Sequence, residues 1–351
     1  MPKTRTISIA QRKIGPGRPV YIIAEAGVNH NGDVSLAGRM ISVARDAGAD
    51  AVKFQAFNSQ LIASRGAPLA PYQKRGVRSK RTQRTMLKGL ELSRSDFEQL
   101  RKVCQESEID FLASPFDMES LSLLLELGVP AIKIGSQELT DLPLLEGIAR
   151  ARVPALLSTG AATLGEIKEA LGSLQSHKLR DIGLLHCVSA YPAPYEHSNL
   201  RAIATLESRF ALPVGFSDHS PGLHIGASAV AAGALLLEKH FTLDRSLSGP
   251  DQALSLEPSE LHSFVTMVRQ VEAALGDGIK KPQPSEIEVR DAARKSLVTT
   301  RAVSKGERFT ADMLTSKRPG TGLPPREMRR VIGRRARCDV PADTVLTPDM
   351  I

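Results

Sequence analysis

Eight short apolar segments recur along this chain, and each of them ends in a polar or charged side chain. They are 21–25, 51–55, 111–114, 131–136, 155–159, 184–189, 214–219 and 235–240. Parallel strands that are covered by helices on both faces have this nearly continuous apolar pattern. In a barrel of such strands, residues at the C-terminal strand ends line the active site. The pattern therefore predicts an enzyme whose reactive side chains meet at one end of a parallel barrel.

Segments with helical periodicity lie between the apolar runs. Residues 34–47 place their apolar side chains on one side, and 93–107 opens with Ser-Arg-Ser-Asp, which is typical of a helix N-cap. Further helices are expected near 118–128, 141–151, 163–175, 199–208, 222–233 and 258–275. This alternation predicts an α/β fold, a (β/α)8 TIM barrel. A dinucleotide-binding sheet is the alternative, but residues 25–32 lack its G-x-G-x-x-G spacing.

One connection, 58–92, is much longer than the others and contains a basic stretch. Long loops on the rim of a barrel are usually active-site lids or disordered segments. We favour a lid, with a disordered loop as the alternative.

The barrel pattern ends near Gly276, which predicts a catalytic domain over 1–280 and a linker over 281–294. The remaining residues, 295–351, contain short β-like runs and two similar phrases, Phe-Thr-Ala-Asp-Met-Leu at 309–314 and Leu-Thr-Pro-Asp-Met-Ile at 346–351. We expect a small β-rich domain with an internal quasi-repeat. A domain of this size holds a modest core, so it is expected to pack on another domain or subunit.

Composition limits the function classes. Of the 351 residues 42% are hydrophobic, which supports a large core, and the net charge is +8. The densest basic stretches, 74–84 and 326–337, have no interleaved aromatic residues and no nucleic-acid-binding motif. We therefore assign the charge to solvated surface or to attraction of an anionic substrate, and expect no nucleic-acid partner.

The three cysteines, Cys104, Cys187 and Cys338, show no paired spacing. Residues 1–18 contain no apolar signal-peptide core, and no later stretch approaches the length of a membrane span. Isolated cysteines are typical of reducing compartments. The sequence thus predicts a cytoplasmic protein without disulfides and without a membrane partner.

His219 and His240 close two consecutive predicted strands, so their imidazoles should converge on the rim of the barrel. Neutral imidazole binds divalent transition metals, and two histidines leave coordination positions open for water and substrate. Alternatively, each histidine only forms hydrogen bonds inside the rim.

Lys53 and Lys133 lie within apolar runs, where a buried ammonium group needs an anionic partner. That partner is either a neighbouring carboxylate, such as Glu25 or Glu138, or a bound anion. Hydroxyl groups at nearby strand ends favour a site for a phosphate and a carboxylate: Ser114, Ser136, Ser158, Thr159 and Ser217.

Two acidic residues are candidates for proton transfer or orientation. Glu25 ends the first strand, where it could act as a general base or orient a metal-bound water. Asp251 follows the eighth strand, where it could orient a substrate hydroxyl. Either residue could instead be a structural ion-pair partner.

Taken together, these motifs resemble the sialic acid synthase family, which condenses phosphoenolpyruvate with an N-acylated amino-hexose. The matching segments follow the family order: 24–32, 52–55, 114–116, 133–136, 157–160, 186–192, 215–219, 238–241, 249–251 and 255–258. Residues 317–320, Lys-Arg-Pro-Gly, resemble the family's C-terminal antifreeze-like (SAF) module of the β-clip type.

The resemblance implies a mechanism. His219 and His240 would hold a divalent ion, Mn²⁺ first and Mg²⁺ or Co²⁺ as alternatives, which polarises the aldehyde of the open-chain sugar. Lys53 and Lys133 would bind phosphoenolpyruvate with the hydroxyls of Ser114, Ser136, Ser158 and Ser217. Carbon 3 of phosphoenolpyruvate would attack the aldehyde, water would add at carbon 2, and phosphate would leave by C–O cleavage. Glu25 would handle that water.

The resemblance also implies which residues contact the sugar. Gln55, Tyr191 and Asp251 would face it, and Glu138 and Ser189 are expected among the substrate-binding residues. In the family an arginine of the SAF module reaches the partner subunit's site, and Arg318 is the matching position. A domain-swapped homodimer is therefore implied.

Three positions depart from the common family pattern. Gln137 replaces a small residue, Ser189 replaces an asparagine of some N-acetylneuraminate synthases, and Gln252 stands where many members have histidine. Serine at position 189 is frequent in relatives that make legionaminic or pseudaminic acid. The leading expectation is an N-acetylneuraminate synthase acting on N-acetylmannosamine, and the alternative is the same reaction on a diacetamido-trideoxy-hexose.

Other function classes fit less well. Synthases that act on a phosphorylated aldose lack the C-terminal module, and a metal hydrolase barrel would have a His-x-His pair on its first strand, which is absent here. A carbohydrate- or ice-binding protein would leave the lysines and histidines at the strand ends without a purpose.

Overall fold

The computed structural model describes residues 5–70, 73 and 82–351. The chain divides into two compact units, Met1–Gly276 and Asp277–Ile351, each with its own hydrophobic core. Among the described residues no helix has both the length and the apolarity needed to cross a bilayer.

A β-hairpin precedes the barrel and fills its N-terminal end. Strand β1 (Ile7–Ile9) pairs antiparallel with β2 (Arg12–Ile14). Ile7, Ile9 and Ile14 are fully buried against apolar side chains from the first residues of the barrel strands. This layer excludes water from one end of the barrel, so the polar cavity is confined to the other end.

Eight parallel strands form a closed barrel in which β10 pairs with both β3 and β9. They are β3 (Tyr21–Gly27), β4 (Ala51–Ala56), β5 (Asp110–Pro115), β6 (Ile132–Ile134), β7 (Ala155–Ser158), β8 (Ile182–Cys187), β9 (Val214–Asp218) and β10 (Leu236–His240). Nearly every strand residue is buried, because helices cover the outer face and side chains fill the interior. The predicted (β/α)8 barrel is confirmed.

Helices connect the strands and bury their apolar stripes against the sheet. They are α1 (Val34–Asp46), α2 (Ser59–Ile62), α3 (Gln83–Lys88), α4 (Arg94–Glu106), α5 (Met118–Glu126), α6 (Leu142–Ala151), α7 (Leu164–Gln175), α8 (Ala202–Phe210), α9 (His224–Ala231) and α10 (Pro258–Leu275). Ser93 caps α4 and forms a reciprocal capping box with Asp96, as the Ser-Arg-Ser-Asp sequence predicts.

The long connection after β4 contains α2 and α3. Residues 71–72 and 74–81, which include most of the predicted basic stretch, lie outside the described residues. Within the described part, Leu90 is buried with Val28 and Phe57, and Ile62 and Leu87 pack against them. This cluster fixes α2 and α3 against the rim of the barrel, on the side where the strands end.

The second unit contains a two-stranded antiparallel sheet, β11 (Ser296–Thr299) with β12 (Leu314–Lys317), and the short helices α11 (Ile287–Ala293) and α12 (Met328–Val331). Both phrases of the quasi-repeat begin with a fully buried residue, Phe309 or Leu346, and continue into a 3-10 turn. The segment predicted as a linker, 281–294, contains regular structure. It lies within the second unit, where Gln283 and Glu286 form the capping box of a 3-10 turn, Pro284–Glu286. Helix α11 follows this turn directly in a run without glycine or proline.

Candidate active site

The C-terminal ends of the barrel strands enclose a cavity of about 290 Å³. Its walls contain thirteen of the residues that the sequence singled out: Glu25, Lys53, Gln55, Ser114, Lys133, Ser136, Glu138, Ser158, Tyr191, Ser217, His219, His240 and Asp251. These residues come from all eight barrel strands or the loops that follow them, and barrel closure brings them together.

Two lysines and two glutamates form a buried charge cluster at the centre of the cavity. Lys53 Nζ lies 2.9 Å from Glu25 Oε2 and 3.9 Å from Glu238 Oε2. Lys133 Nζ lies 3.7 Å from the same Glu238 oxygen. All four side chains are at most 5% exposed. Removing one partner of such a buried pair leaves an uncompensated charge, so every charge in the cluster requires a partner.

Glu238 is the functional residue that the sequence reasoning missed. It precedes His240 by two positions, so both side chains point into the barrel while Lys239 points outward. Applying the period of two to the run 235–240 would have placed Glu238 in the site together with His240.

The cluster alters the proton affinity of its members. Burial opposes the charged form of Lys53, but the carboxylates of Glu238 and Glu25 outweigh burial and raise its pKa. Burial lowers the pKa of Lys133, and Glu238 offsets only part of that effect. Burial also raises the pKa of Glu25 to about 7, against the opposing effect of Lys53. Near neutral pH Glu25 can therefore both accept and release a proton.

Serine hydroxyls surround the two ammonium groups. Lys53 Nζ donates to Ser114 Oγ at 3.2 Å, and Ser217 Oγ donates to Glu238 Oε1 at 3.1 Å. Ser136 Oγ accepts from the Gly160 amide at 2.9 Å. The hydroxyl of Ser158 is buried and has no hydrogen-bond partner among the described residues, although it lines the cavity. Donors of this kind beside two lysines suit phosphate or carboxylate oxygens.

Two further carboxyl groups border the cavity. Burial raises the pKa of Glu138 to about 7 and the pKa of Asp251 to about 6. Glu138 Oε2 is buried, and no described residue forms a hydrogen bond with it. It sits so close to Gly135 that an added Cβ there would lie 2.2 Å from it, so any side chain at position 135 would displace this carboxyl group. Both groups can be neutral when an anion is bound nearby.

The two histidines face each other across the cavity, with ring centroids 5.4 Å apart. His219 Nδ1 lies 2.8 Å from the Val188 carbonyl oxygen, which leaves Nε2 as its ligand atom. His240 Nδ1 is buried and forms no hydrogen bond within the part of the chain that the structure describes. Burial, together with His219, holds the pKa of His240 well below its usual value, so its imidazole is neutral as metal ligation requires.

These two imidazoles fit a divalent transition metal with open coordination positions. Among the described residues no group of three His, Cys, Asp or Glu side chains is arranged to hold an ion. Protein ligands would therefore be few, and water or substrate oxygens would complete the coordination. The aromatic ring of Tyr191 lies 4.2 Å from that of His219, which restricts the open side of the pair.

The long connection after β4 supplies one wall of the cavity. Ile62, Gln73, Gln83 and Met86 line it together with Leu87 and Leu90. These residues have the position that a lid requires, and closure of such a lid stays a prediction.

Three predicted residues, Thr159, Ser189 and Arg318, lie outside the cavity lining. The buried hydroxyl of Thr159 donates to the Leu185 carbonyl oxygen at 3.1 Å, so it bonds within the barrel wall instead of facing the cavity. Ser189 is close by, since a Cβ added to Gly160 would lie 2.2 Å from Ser189 Oγ and 2.8 Å from Ser136 Oγ. Arg318 belongs to the second unit, directly after β12, where it precedes a cis proline. Its contribution to a partner's site stays a prediction.

Comparison with known proteins shows the family of this chain. Residues 40–280 match the NeuB family and residues 294–351 match the SAF domain. The chain is 46% identical over 321 residues to N,N'-diacetyllegionaminic acid synthase of Campylobacter jejuni, covering 91% of this chain and 96% of that protein. It is 40% identical over 336 residues to the enzyme of the same name from Legionella pneumophila, covering 95% and 94%.

A solved structure is similar as well. The crystal structure of N-acetylneuraminic acid (sialic acid) synthetase from Leptospira borgpetersenii superimposes with a TM-score of 0.72 at 41% sequence identity. The match covers 82% of this chain and 95% of that chain.

The raised pKa of Glu138 predicts how stability depends on pH. The carboxyl group has a pKa of about 7 in the folded protein and about 4.3 in the unfolded chain, so it is protonated in both states below pH 4.3. As the pH rises from about 4.3 to 7, the unfolded chain releases its proton first, and the stability that the group contributes at low pH is lost. Glu138→Gln should therefore gain stability relative to the wild type between about pH 4.3 and 7. Urea unfolding across this range measures it. Glu169→Gln, at an exposed position of α7, is the control, and an identical pH profile for E138Q and wild type would contradict the burial effect.

Proposed function

This chain belongs to the NeuB family, and from that premise we propose that it condenses phosphoenolpyruvate with an N-acyl amino-hexose at the barrel cavity. The observation that carries the proposal is the pair of buried ammonium groups, Lys53 and Lys133, which meet at Glu238 and are bordered by serine hydroxyls. Two buried cations with this set of donors suit a small molecule that carries both a phosphate and a carboxylate.

Protonation of carboxyl groups in the cavity reduces the electrostatic repulsion of that anion. With Glu25, Glu138, Glu238 and Asp251 all ionised, the cavity would repel phosphoenolpyruvate. The pKa values of Glu25 and Glu138 lie at about 7 and that of Asp251 at about 6, so these groups can take up protons when the substrate enters. Lys53 and Lys133 then act on the substrate's negative charge rather than on protein carboxylates alone.

We infer that His219 and His240 hold a divalent metal, Mn²⁺ in the first place. Such an ion, when bound, polarises a carbonyl group and so activates the open-chain aldehyde of the sugar. Tyr191, whose ring lies beside both imidazoles, and Asp251 are then placed to orient the sugar.

The bond changes follow from the reactants. Carbon 3 of phosphoenolpyruvate forms a C–C bond to the aldehyde carbon, and the aldehyde oxygen takes up one proton. Water adds to carbon 2 and passes one proton to Glu25. The hydroxyl formed at carbon 2 gives its remaining proton to the leaving phosphate as the C–O bond breaks, which yields the keto acid and inorganic phosphate. Glu25 is suited to this step, because its pKa of about 7 matches the pH at which it must accept a proton.

We propose the diacetamido-trideoxy-hexose precursor of legionaminic acid as the sugar substrate. Support comes from the two relatives named as legionaminic acid synthases, at 46% and 40% identity, and from Ser189 near the cavity. N-acetylmannosamine is the second candidate, which the solved sialic acid synthetase at 41% identity favours.

Phosphate release from phosphoenolpyruvate in the presence of Mn²⁺ tests the function with each of the two sugars. A higher kcat/KM with the diacetamido-trideoxy-hexose is expected. Glu25→Gln keeps the shape of the side chain but removes the base, and should lower kcat by about 100-fold or more. A preference for N-acetylmannosamine would select the second candidate. Release with neither sugar would contradict the proposed reaction.

We also propose that the enzyme is a homodimer in which Arg318 of one subunit completes the site of the other. Arg318→Ala and E25Q should each have little activity alone. A mixture of the two variants after subunit exchange should recover about a quarter of wild-type activity, because half of the dimers are mixed and each mixed dimer has one intact site. No recovery despite exchange, which mass spectrometry of labelled subunits verifies, would place Arg318 outside the partner's site.

A further inference from the structure

Asp218 and Lys239 form a fully buried ion pair that does not line the cavity. Asp218 Oδ2 lies 2.8 Å from Lys239 Nζ, and their side chains are 0% and 1% exposed. The two residues are direct partners in the register of β9 and β10. The pair therefore joins the ends of the two strands from which His219 and His240 project.

Strand alternation separates this pair from the chemistry. Ser217, His219, Glu238 and His240 line the cavity, whereas Asp218 and Lys239 lie between them and point to the outer face of the barrel. Neither charge can contact a substrate in the cavity. Any effect of the pair on the reaction must pass through the backbone of the residues beside it.

The backbone that follows His219 forms hydrogen bonds with the same two charged groups. Lys239 Nζ donates to the Ser220 carbonyl oxygen at 2.6 Å. The Ser220 amide and hydroxyl donate to Asp218 Oδ1 at 2.8 and 2.6 Å. The backbone on both sides of His219 is thus held by hydrogen bonds to one carboxylate and one ammonium group, and the Val188 carbonyl fixes the ring itself.

Close packing of helix α9 completes the enclosure. A Cβ added to Gly226 would lie 3.0 Å from Asp218 Oδ2 and 2.6 Å from the ring of Phe264. A buried ion pair is a weak source of stability, because apolar side chains of similar volume often serve as well. Unlike apolar side chains, the pair also makes directional hydrogen bonds, which hold the Ser220 amide and carbonyl oxygen in fixed positions.

We propose that the Asp218–Lys239 pair is a positioning device that sets the distance and angle between the imidazoles of His219 and His240. The inference rests on the proposed function, in which these imidazoles hold a divalent metal. Groups that orient metal ligands from behind typically change metal affinity by about 10- to 100-fold when they are removed. Asp218 and Lys239 are thus positioning residues rather than catalytic ones.

The test measures Mn²⁺ affinity of substrate-free protein from the electron paramagnetic resonance signal of free Mn²⁺. Asp218→Asn should weaken binding by about 10- to 100-fold. Ser220→Ala, which keeps the ion pair and removes one hydrogen bond, should weaken it by about fivefold. Circular dichroism and the melting temperature identify any variant that does not fold, and S220A serves as the test if D218N does not.

Arg269→Gln is the matched control. It breaks an ion pair of 3.1 Å with Asp50 that joins α10 to the opposite end of the barrel, so it should lower the melting temperature without changing Mn²⁺ affinity. The dissociation constant of phosphoenolpyruvate for metal-free D218N or S220A should stay within about twofold of wild type, because neither residue lies in the lysine cluster.

The outcomes separate the two proposals. If the wild type binds Mn²⁺ and D218N or S220A binds it more weakly while R269Q does not, the result supports positioning by the pair. Equal Mn²⁺ affinity in wild type and folded variants overturns the positioning proposal and leaves the metal assignment standing. If the wild-type protein binds no Mn²⁺, both the positioning proposal and the metal assignment are overturned. If that protein still releases phosphate from phosphoenolpyruvate, the proposed synthase function stands without the metal.

Discussion

Lys53 and Lys133 carry their ammonium groups inside the barrel, with side chains only 5% and 3% exposed, and both approach Glu238. A buried charge without a partner is too costly to retain, so the position of each lysine depends on the carboxylates that face it. The cavity is therefore arranged around positive charge before any substrate arrives. Protonation of the carboxyl groups whose pKa values lie at about 6 to 7 lets a bound anion take over the balancing role.

Barrel geometry gives this cluster its neighbours. The β-hairpin at 7–14 fills one end of the interior with apolar side chains, which leaves the polar residues to the other end. At that end side chains alternate along each strand between the interior and the outer face of the barrel. Glu238 and His240 face the cavity, and Lys239 between them forms an ion pair with Asp218 of β9. The segment 238–240 thus contains two cavity residues and the residue whose ion pair holds their strand to its neighbour.

Much of this arrangement is predictable from sequence, for physical reasons. Eight apolar runs between helical segments specify the barrel, and a barrel brings its strand ends together, so thirteen predicted residues meet in one cavity. Glu238 was missed because a charged residue inside a run resembles a surface position until the alternation is counted. Helix α11 was missed because two prolines at 282 and 284 suggested a linker, although a capped 3-10 turn at 284–286 leads directly into the helix. Lid closure and the reach of Arg318 depend on motion or on a second subunit, which one chain's pattern does not encode.

Binding of phosphoenolpyruvate to the metal-free protein is the most direct test of the lysine cluster as the anion site. Isothermal titration calorimetry would compare the wild type with Lys133→Gln and with Lys102→Gln, which changes a lysine that is 76% exposed. The account predicts that K133Q binds about 10- to 100-fold more weakly at an unchanged fold, because a charge-assisted hydrogen bond to the substrate is lost, whereas K102Q matches the wild type. Equal affinity of K133Q and wild type would contradict it.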